Sequence, residues 1–318
     1  MPFALRSACV AVALLLVAGA ASGLPLTKKT IELKTRRMEI SVSYPQTGNT
    51  AIDAVLLAYA RGQVDTFKGY AKDFMGDNPY SLDVGYDVER NDGKMLGLSF
   101  GESAYTGGAH GSNTMTAFNF LLPDGAQVFL PEIVDGQRGI DRVSKLVVPR
   151  LIKEIATGES AMSDPDWVGR GAGPLADNFK VFVWLPGKLH IYFPPYQVAA
   201  YAAGPQEIVI DQKDLKGVIR ADWRAPSASF DCAKAKSGIE KAICAGAPLA
   251  RLDRQMAEAY QAKLAGVSSY DKPGADKLRN EQRAWLAKVL KTCSGPSPGA
   301  CLTRMYGARL ADLTRAPQ

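Results

Sequence analysis

The chain has 318 residues and a formal net charge of +6, and 47% of its residues are hydrophobic. Such a chain fits one or two domains and is long enough to bury a packed core. Apart from a short apolar segment near the N-terminus, no hydrophobic run is long enough to span a membrane. The composition therefore excludes a mature protein with a membrane span.

The N-terminal residues have the pattern of a secretory signal peptide. Arg6 supplies the positive charge, Val10 to Ala18 form the apolar core, and small residues follow as far as Gly23. Cys9 precedes the apolar core, whereas the acceptor cysteine of a lipoprotein would follow it. We therefore expect residues 1–23 to be a cleaved signal peptide and the mature protein to be periplasmic or secreted.

The four remaining cysteines lie in the last third of the chain: Cys232, Cys244, Cys293 and Cys301. An even number of cysteines in an oxidising compartment indicates disulfides, and the lack of a CxxC pair or a nearby histidine disfavours zinc. Four cysteines allow three connectivities. We expect the local one, in which Cys232 is bonded to Cys244 and Cys293 to Cys301.

Charge is divided unevenly along the chain. Residues 230–318 contain 15 Lys and Arg against 8 Asp and Glu, a net charge of +7. Residues 24–229 contain 22 against 24, a net charge of −2. Parts of opposite sign indicate two modules with different surfaces. A basic helical module can bind nucleic acid, but export disfavours that partner, and we expect none.

The first module has the pattern of an α+β domain. Met38–Tyr44 alternates as a strand does, and apolar residues at helical spacing from Ile52 to Phe74 predict a helix, with a second over 140–155. Further strands are predicted at 80–89, 94–105, 113–122, 180–185, 188–193 and 206–210. Successive hairpins without regular βα alternation predict a mostly antiparallel sheet with two helices on one face.

The pattern beyond residue 229 is wholly helical. Ser237 and Glu240 have the spacing of a capping box, and apolar stripes at helical spacing begin at Leu249, Leu278 and Leu302. A core of this size needs covalent support, which explains the cysteines. The predicted organisation is a signal peptide at 1–23, an α+β domain at 24–224, a linker at 225–229 and a small disulfide-stapled all-α module at 230–318.

The stretch Tyr105–Ser112, YTGGAHGS, holds three glycines and His110, one of only two histidines in the chain. A strand-like run follows it and the GK[ST] ending of a P-loop is absent, so phosphate binding is not expected. His110 could act as a general base for Ser103 or Ser112, or it could be a polar hairpin residue beside glycines that supply positive φ. No nucleophile elbow supports the first alternative, and we expect no catalytic residue.

The second histidine, His190, lies on a predicted strand. Leu189 and Ile191 share one face of that strand, whereas His190 and Tyr192 share the other, which by default faces solvent. A metal site shared by both histidines and a carboxylate is an alternative that nothing in the sequence demands. Two histidines are too few for the usual ligand set of a zinc hydrolase, and we expect neither a metal nor another cofactor.

The loop from Pro194 to Gly204, PPYQVAAYAAG, is the stronger candidate for a binding surface. Pro194 and Pro195 stiffen it, so less entropy is lost when it docks. Tyr196 and Tyr201 are of the residue type enriched at binding hot spots. The alternative, that both tyrosines cover the edge of the sheet, stays open because tyrosine serves both roles.

Two family resemblances cover nearly all of the mature chain. The helical module resembles the LprI-type lysozyme inhibitor family in SFDC at 229–232, IEKAIC at 239–244, LARLD at 249–253, AY at 259–260, QRAWL at 282–286, Cys293 and CL at 301–302. The first module is similar to the RsiV-like domain of a lysozyme-sensing anti-sigma factor, a domain that also occurs beside a peptidoglycan deacetylase. That similarity lies in YTGGAHG at 105–111, FN at 118–119, and the 196–204 loop ahead of EIVI at 207–210.

Both resemblances imply lysozyme or its substrate as the ligand. Because neither the deacetylase catalytic domain nor a transmembrane segment is recognised, we expect a periplasmic, non-enzymatic lysozyme-binding protein that occludes the lysozyme cleft. The expected contact residues are Tyr105, His110, Pro194, Pro195, Tyr196 and Tyr201. Many lysozymes are cationic, so the −2 module is expected to make the main contact. A module that binds peptidoglycan or another envelope glycan is the alternative, and a hydrolase using His110 is the third candidate.

Overall fold

The computed structural model describes residues 23–70, 78–157, 164–225, 228–268 and 271–314. Three sequence predictions lie wholly or partly outside these residues: the signal peptide up to Ser22, the helical position Phe74, and the linker residues Pro226 and Ser227. In the described ranges, no helix combines the length and the hydrophobicity that a membrane span requires.

A six-stranded sheet is formed by the first part of the chain. Its strands lie side by side in chain order: β1 (Thr27–Lys34), β2 (Met38–Gln46), β3 (Tyr80–Asn91), β4 (Met95–Tyr105), β5 (Ser112–Leu121) and β6 (Ala126–Gln127). Only β2 and β3 pair in parallel, because helix α1 (Thr50–Tyr70) connects them as a crossover. The buried face of α1 packs on β2 to β5 through Ile52, Leu56, Ala60, Val64 and Phe67.

Strand β1 was not predicted from the sequence. All of its residues, TKKTIELK, are exposed or partly exposed. They pair with β2 from Thr27 to Lys34 through backbone hydrogen bonds at the edge of the sheet. An edge strand that buries so little has no clear apolar alternation, which is the pattern that predicts strands.

A second, three-stranded antiparallel sheet contains β7 (Phe182–Leu185), β8 (Lys188–Phe193) and β9 (Gln206–Asp211). Three helices precede it in the chain: α2 (Leu130–Ile133), α3 (Gly136–Thr157) and α4 (Pro165–Gly171). Helix α3 packs against this sheet in a separate core cluster. The α+β class rich in antiparallel strands is confirmed. The strands divide into two sheets with one long helix each, whereas the sequence suggested two helices on one face.

Helix α4 lies in a segment for which the sequence predicted neither a helix nor a strand. It is only one to two turns long, and Asp164 caps its first turn by accepting a hydrogen bond from the Asp166 amide. Pro165 occupies the first helical position, where its missing N–H costs nothing. A helix this short carries too little apolar periodicity to be predicted.

In the part of the chain that the structure describes, the two sheets share no paired strands, and side-chain hydrogen bonds connect them instead. Asn119 of β5 donates to the Phe182 carbonyl oxygen at 2.8 Å and accepts from the Trp184 amide at 2.8 Å. Arg90 of β3 donates to the Trp184 carbonyl oxygen at 2.7 Å. A Cβ on Gly97 would lie 2.6 Å from a Val183 methyl group, so only glycine permits this approach. The FN pair at 118–119 therefore has a structural use.

Four helices form the C-terminal part: α5 (Gly238–Ala245), α6 (Ala247–Ser268), α7 (Lys272–Thr292) and α8 (Gly299–Thr314). The capping box at α5 is present, since Ser237 Oγ accepts from the Glu240 amide and a Glu240 carboxylate oxygen accepts from the Ser237 amide. Both locally paired disulfides are present, Cys232–Cys244 and Cys293–Cys301. The first ties the segment before α5 to its last turn, and the second closes the turn between α7 and α8.

Helix α6 packs against the α+β part through a buried ion pair. Arg251 Nη1 lies 3.3 Å from Glu132 Oε1, and the two side chains are 3% and 5% exposed. Gln255 donates to Glu132 at 3.0 Å, and Arg251 also donates to the Trp223 carbonyl oxygen at 2.8 Å. Burial raises the pKa of Glu132 and lowers the pKa of Arg251. We call these four residues, Glu132, Trp223, Arg251 and Gln255, the module interface.

Candidate functional site

The YTGGAHGS stretch forms the turn between β4 and β5. Gly107 and Gly108 have φ values of +90° and +95°, which explains why this turn needs glycine. Tyr105 Oη donates to the Gly108 carbonyl oxygen at 3.2 Å and so supports the turn from its base. His110 is exposed at the tip, with Nδ1 located 2.7 Å from the Gly111 carbonyl oxygen. The turn therefore presents His110 on a fixed backbone.

The loop after β8 holds Tyr196 in an unusual backbone conformation. Tyr196 has φ +71°, and within the described ranges it is the one non-glycine residue with positive φ. Its carbonyl oxygen accepts from Trp167 Nε1 at 3.0 Å, and the adjacent Gln197 amide donates to the Pro194 carbonyl oxygen at 3.1 Å. A tyrosine in this region is strained, and such strain is found most often at functional sites.

Gln197 anchors the same loop to the protein. Its side-chain nitrogen donates to the carbonyl oxygens of Gly171 and Asn178, at 2.8 Å in each case. A Cβ on Gly171 would clash with the Gln197 carbonyl oxygen. The chain around Tyr196 is thus packed tightly from below, while the Tyr196 side chain itself is 54% exposed. The loop displays this ring rather than burying it.

The hairpin and the loop meet through aromatic rings. His110 stacks on Tyr201 with ring centroids 4.6 Å apart and planes 20° apart. The Tyr201 ring lies 5.5 Å from that of Tyr196, and Asn113 Nδ2 donates to Tyr201 Oη at 2.9 Å. We call His110, Tyr196 and Tyr201 the aromatic patch. Three of the six predicted contact residues therefore lie together, and Tyr105, Pro194 and Pro195 lie in the segments that position them.

The patch contains no recognisable arrangement for nucleophilic catalysis. Among the described residues, Ser112 Oγ donates to the Ala104 carbonyl oxygen at 3.4 Å, and no hydrogen bond joins His110 to Ser103 or Ser112. The described ranges also contain no group of three metal-ligating side chains that could hold a metal ion. What the geometry offers is flat, amphipathic ring surface, which suits contact with protein or sugar.

The default expectation for His190, a solvent-facing strand position, is wrong. The side chain is 16% exposed because the first sheet packs on that face of β8, with Glu89 of β3 beside His190. Nε2 lies 3.1 Å from Glu207 Oε2, and Nδ1 lies 3.4 Å from Glu89 Oε2. Tyr192 Oη is 2.9 Å from His190 Nδ1. We call Glu89, His190, Tyr192 and Glu207 the His190 cluster.

The pKa shifts in the His190 cluster favour an ion pair between protonated His190 and ionised Glu89. The hydrogen bond to Glu89 raises the pKa of His190 and outweighs the opposing effect of burial. Burial alone would raise the pKa of Glu89, but hydrogen bonds from His190, Ser99 and Tyr192 lower it overall. Burial and the nearby carboxylates raise the pKa of Tyr192, which stays protonated. The cluster links β3 of the first sheet to β8 and β9 of the second.

Residues 232–315 match the family model Lysozyme inhibitor LprI. This LprI region comprises helices α5 to α8 and both disulfides. Two further family models match ahead of it, Deacetylase PdaC over residues 31–113 and DUF3298, of unknown function, over residues 133–213. His110 lies in the first of these segments, and Tyr196 and Tyr201 lie in the second. The aromatic patch therefore forms where the two matched segments meet.

One curated relative is peptidoglycan-N-acetylmuramic acid deacetylase PdaC of Bacillus subtilis, 26% identical over 204 residues. The match covers 63% of this chain and 42% of the deacetylase. A DUF3298 family structure from Bacteroides fragilis is 18% identical with a TM-score of 0.47, covering 63% of this chain and 96% of that one. Another, from Pseudomonas aeruginosa, is 13% identical with a TM-score of 0.49, covering 64% and 98%.

Sequence reasoning missed several residues that build the site. Asn113 and Trp167 bind the patch through hydrogen bonds, and Gln197 anchors its loop. No local sequence pattern marks these three residues, because each forms its hydrogen bond with a residue at least 19 positions away. Only the PPY sequence at 194–196 hinted at a stiff loop that displays an aromatic ring.

Proposed function

We propose that this protein binds and inhibits lysozyme outside the cytoplasm and has no catalytic turnover of its own. The observation that carries the proposal is the match of residues 232–315 to the lysozyme inhibitor LprI model. Two disulfides within that region support a location in an oxidising compartment. The matched helices are also packed onto the α+β part through the module interface, so both parts are presented to a partner together.

The aromatic patch is our proposed contact with the lysozyme cleft. Tyr196 is 54% exposed on a backbone held by Trp167 and Gln197, so little conformational entropy remains to be lost on binding. Tyrosine rings displayed in this way are typical hot spots. The −2 charge of residues 24–229 favours the approach of a cationic lysozyme, whereas the +7 of residues 230–318 opposes it.

A second candidate is a module that binds peptidoglycan or another envelope glycan. The observation in its favour is the relative from Bacillus subtilis, whose name assigns it a peptidoglycan substrate. The paired rings of Tyr196 and Tyr201 offer a surface on which sugar rings also stack. Because that relative is a deacetylase, the absence of turnover in this chain needs its own assay.

The test compares lysozyme with insoluble peptidoglycan as ligands of the purified full-length protein. We expect retention on immobilised hen egg-white lysozyme and slower lysis of a cell-wall suspension by that enzyme. Tyr196→Ala should weaken lysozyme binding by about 2 kcal/mol, roughly thirtyfold. Tyr70→Ala is the matched control, because Tyr70 is 56% exposed at the end of α1 and lies outside the patch.

Two outcomes would contradict the proposal. Retention on peptidoglycan without any effect on lysozyme would favour the glycan-binding candidate. Release of acetate from acetylated peptidoglycan that disappears in His110→Ala would show that the protein is an enzyme.

A further inference from the structure

The outer edge of β5 is open along most of its length. Strand β6 pairs with only two residues of β5, Phe120 and Leu121. Within the described ranges, no other strand pairs with that edge between Ser112 and Asn119. An open edge presents unpaired backbone donors and acceptors, to which another chain can add as a strand.

The backbone hydrogen bonds show which residues of β5 face outward. The Asn119 and Leu121 carbonyl oxygens accept from the Val128 and Gly125 amides on the outer side, whereas the Leu122 amide donates to Lys94 on the β4 side. In a strand the N–H and C=O of one residue point to the same side, and successive residues alternate. It follows that the outward backbone groups ahead of Asn119 belong to Asn113, Met115 and Ala117.

A groove runs along this edge. A cavity of about 200 Å³ is lined by Met115, Thr116, Ala117 and Phe118, facing segments 127–129 and 180–182. Because side chains of consecutive strand residues point to opposite faces, a cavity that touches four in a row lies along the edge rather than on a face. We call this cavity the β5 groove. Apolar side chains form most of its wall, and Lys180 stands among them.

The β5 groove lies between the LprI region and the aromatic patch. At one end, the Gln127 carbonyl oxygen accepts from Gln255 of the LprI region at 3.1 Å. Toward the other end, Asn113 precedes the groove residues of β5 and donates to Tyr201 of the aromatic patch. A chain lying along β5 would therefore pass from the LprI region to the aromatic patch.

We propose that the β5 groove binds an extended segment of the partner protein, which pairs with β5 as an added strand. The alternating amide donors and acceptors of a polypeptide match the outward groups of Asn113, Met115 and Ala117, whereas a sugar chain has no such repeat. Lys180 is exposed and makes no ion pair with any described residue, so the segment carries a carboxylate opposite it. The identity of the partner as lysozyme rests on the proposed function, whereas strand addition rests on the groove.

Single-residue amide exchange tests the binding mode in the full-length protein. In the free protein we expect the outward amides of Asn113, Met115 and Ala117 to exchange much faster than those of Thr116 and Phe118, which face β4. Saturating hen egg-white lysozyme should slow the outward amides by at least about tenfold, because each gains a hydrogen bond. Binding of lysozyme without any slowing at these amides overturns the proposal.

A second probe separates this proposal from the proposed function. It is a capped synthetic hexapeptide of alternating valine and threonine with one glutamate, used at millimolar concentration. Slowing of the outward amides by the peptide supports strand addition even where lysozyme does not bind, and in that case the proposed function alone fails. If neither lysozyme nor the peptide slows them, strand addition is refuted.

Ala117→Pro removes one outward N–H donor of β5 without removing a hydrogen bond to β4. An edge strand tolerates proline at positions whose N–H points away from the sheet. We expect about tenfold weaker binding of whichever probe binds, while Ala117→Ser, which keeps the N–H, stays within about twofold. Equal affinities of the two variants, both with unchanged β4–β5 amide protection, would contradict the proposal.

Discussion

Removing Arg251 tests whether the LprI region is held to the α+β part by the buried ion pair. Arg251→Met keeps the apolar stem but removes the guanidinium from Glu132 and from the carbonyl oxygens of Trp223 and Arg224. Glu132, 5% exposed in the wild type, then keeps Gln255 and the Phe129 amide as its donors among the described residues. An anion without its cation is then left in the interface.

Breaking a buried pair by removing one partner costs about 3–5 kcal/mol of unfolding free energy. Burial already raises the pKa of Glu132, so the carboxyl group takes up a proton more readily once Arg251 is gone, which limits the loss. The double variant Arg251→Met/Glu132→Gln removes both charges of this buried pair. We therefore expect it to be more stable than the single variant by at least about 1 kcal/mol.

The assay is urea unfolding followed by tryptophan fluorescence, since Trp223 lies in the module interface and Trp285 in the LprI region. Arg279→Met is the matched control. It breaks an ion pair with Asp276 on α7 whose side chains are 39% and 59% exposed, and such pairs contribute less than about 1 kcal/mol. Equal losses in Arg251→Met and Arg279→Met would refute the reasoning, as would a double variant no more stable than Arg251→Met.

Two other predictions concern pH and the disulfides. The pKa of His190 is raised above its unfolded value of 6.5, so protonated His190 contributes its full stability below pH 6.5. This contribution is lost as the pH rises through the folded pKa. The pKa of Glu89 is lowered, so the Glu89 carboxylate contributes stability above its unfolded pKa of 4.5. The free energy of unfolding in urea should therefore fall from pH 6 to pH 9 more in the wild type than in His190→Gln. Identical pH profiles of the two proteins would show that the His190 cluster contributes nothing. Replacing Cys232 and Cys244 by serine together should cost about 2–4 kcal/mol, because the bond closes a loop of separation 12, and a loss below about 1 kcal/mol in thermal unfolding would contradict this.

Local patterns were sufficient for most of the secondary structure. Helical spacing of apolar residues predicted α1 and α3, and alternation with turn residues predicted most strands. The capping box at Ser237 and the pairing of nearby cysteines were also readable, because both join residues close in sequence. These features depend on neighbours within one or two turns or one hairpin, and the sequence displays such neighbours directly.

Features that depend on packing between distant segments were not predictable. His190 was expected to face solvent, because strand alternation shows that it lies opposite Leu189 but not that β3 covers that face. The division into two sheets depends in the same way on Asn119, whose partners Phe182 and Trp184 lie 63 and 65 residues away.

The aromatic patch and the module interface illustrate the same limit. The tyrosine loop and the His110 hairpin were each singled out by composition, but the hydrogen bond between them joins Asn113 to Tyr201, 88 residues apart. In the module interface, Arg251 contacts Glu132 across 119 residues. Sequence by itself determined most of the helices, strands and turns and the pairing of the cysteines, while β1 and α4 escaped it. Only the tertiary structure decided which of those segments face each other, because hydrogen bonds and burial between distant segments leave no periodic pattern in the chain.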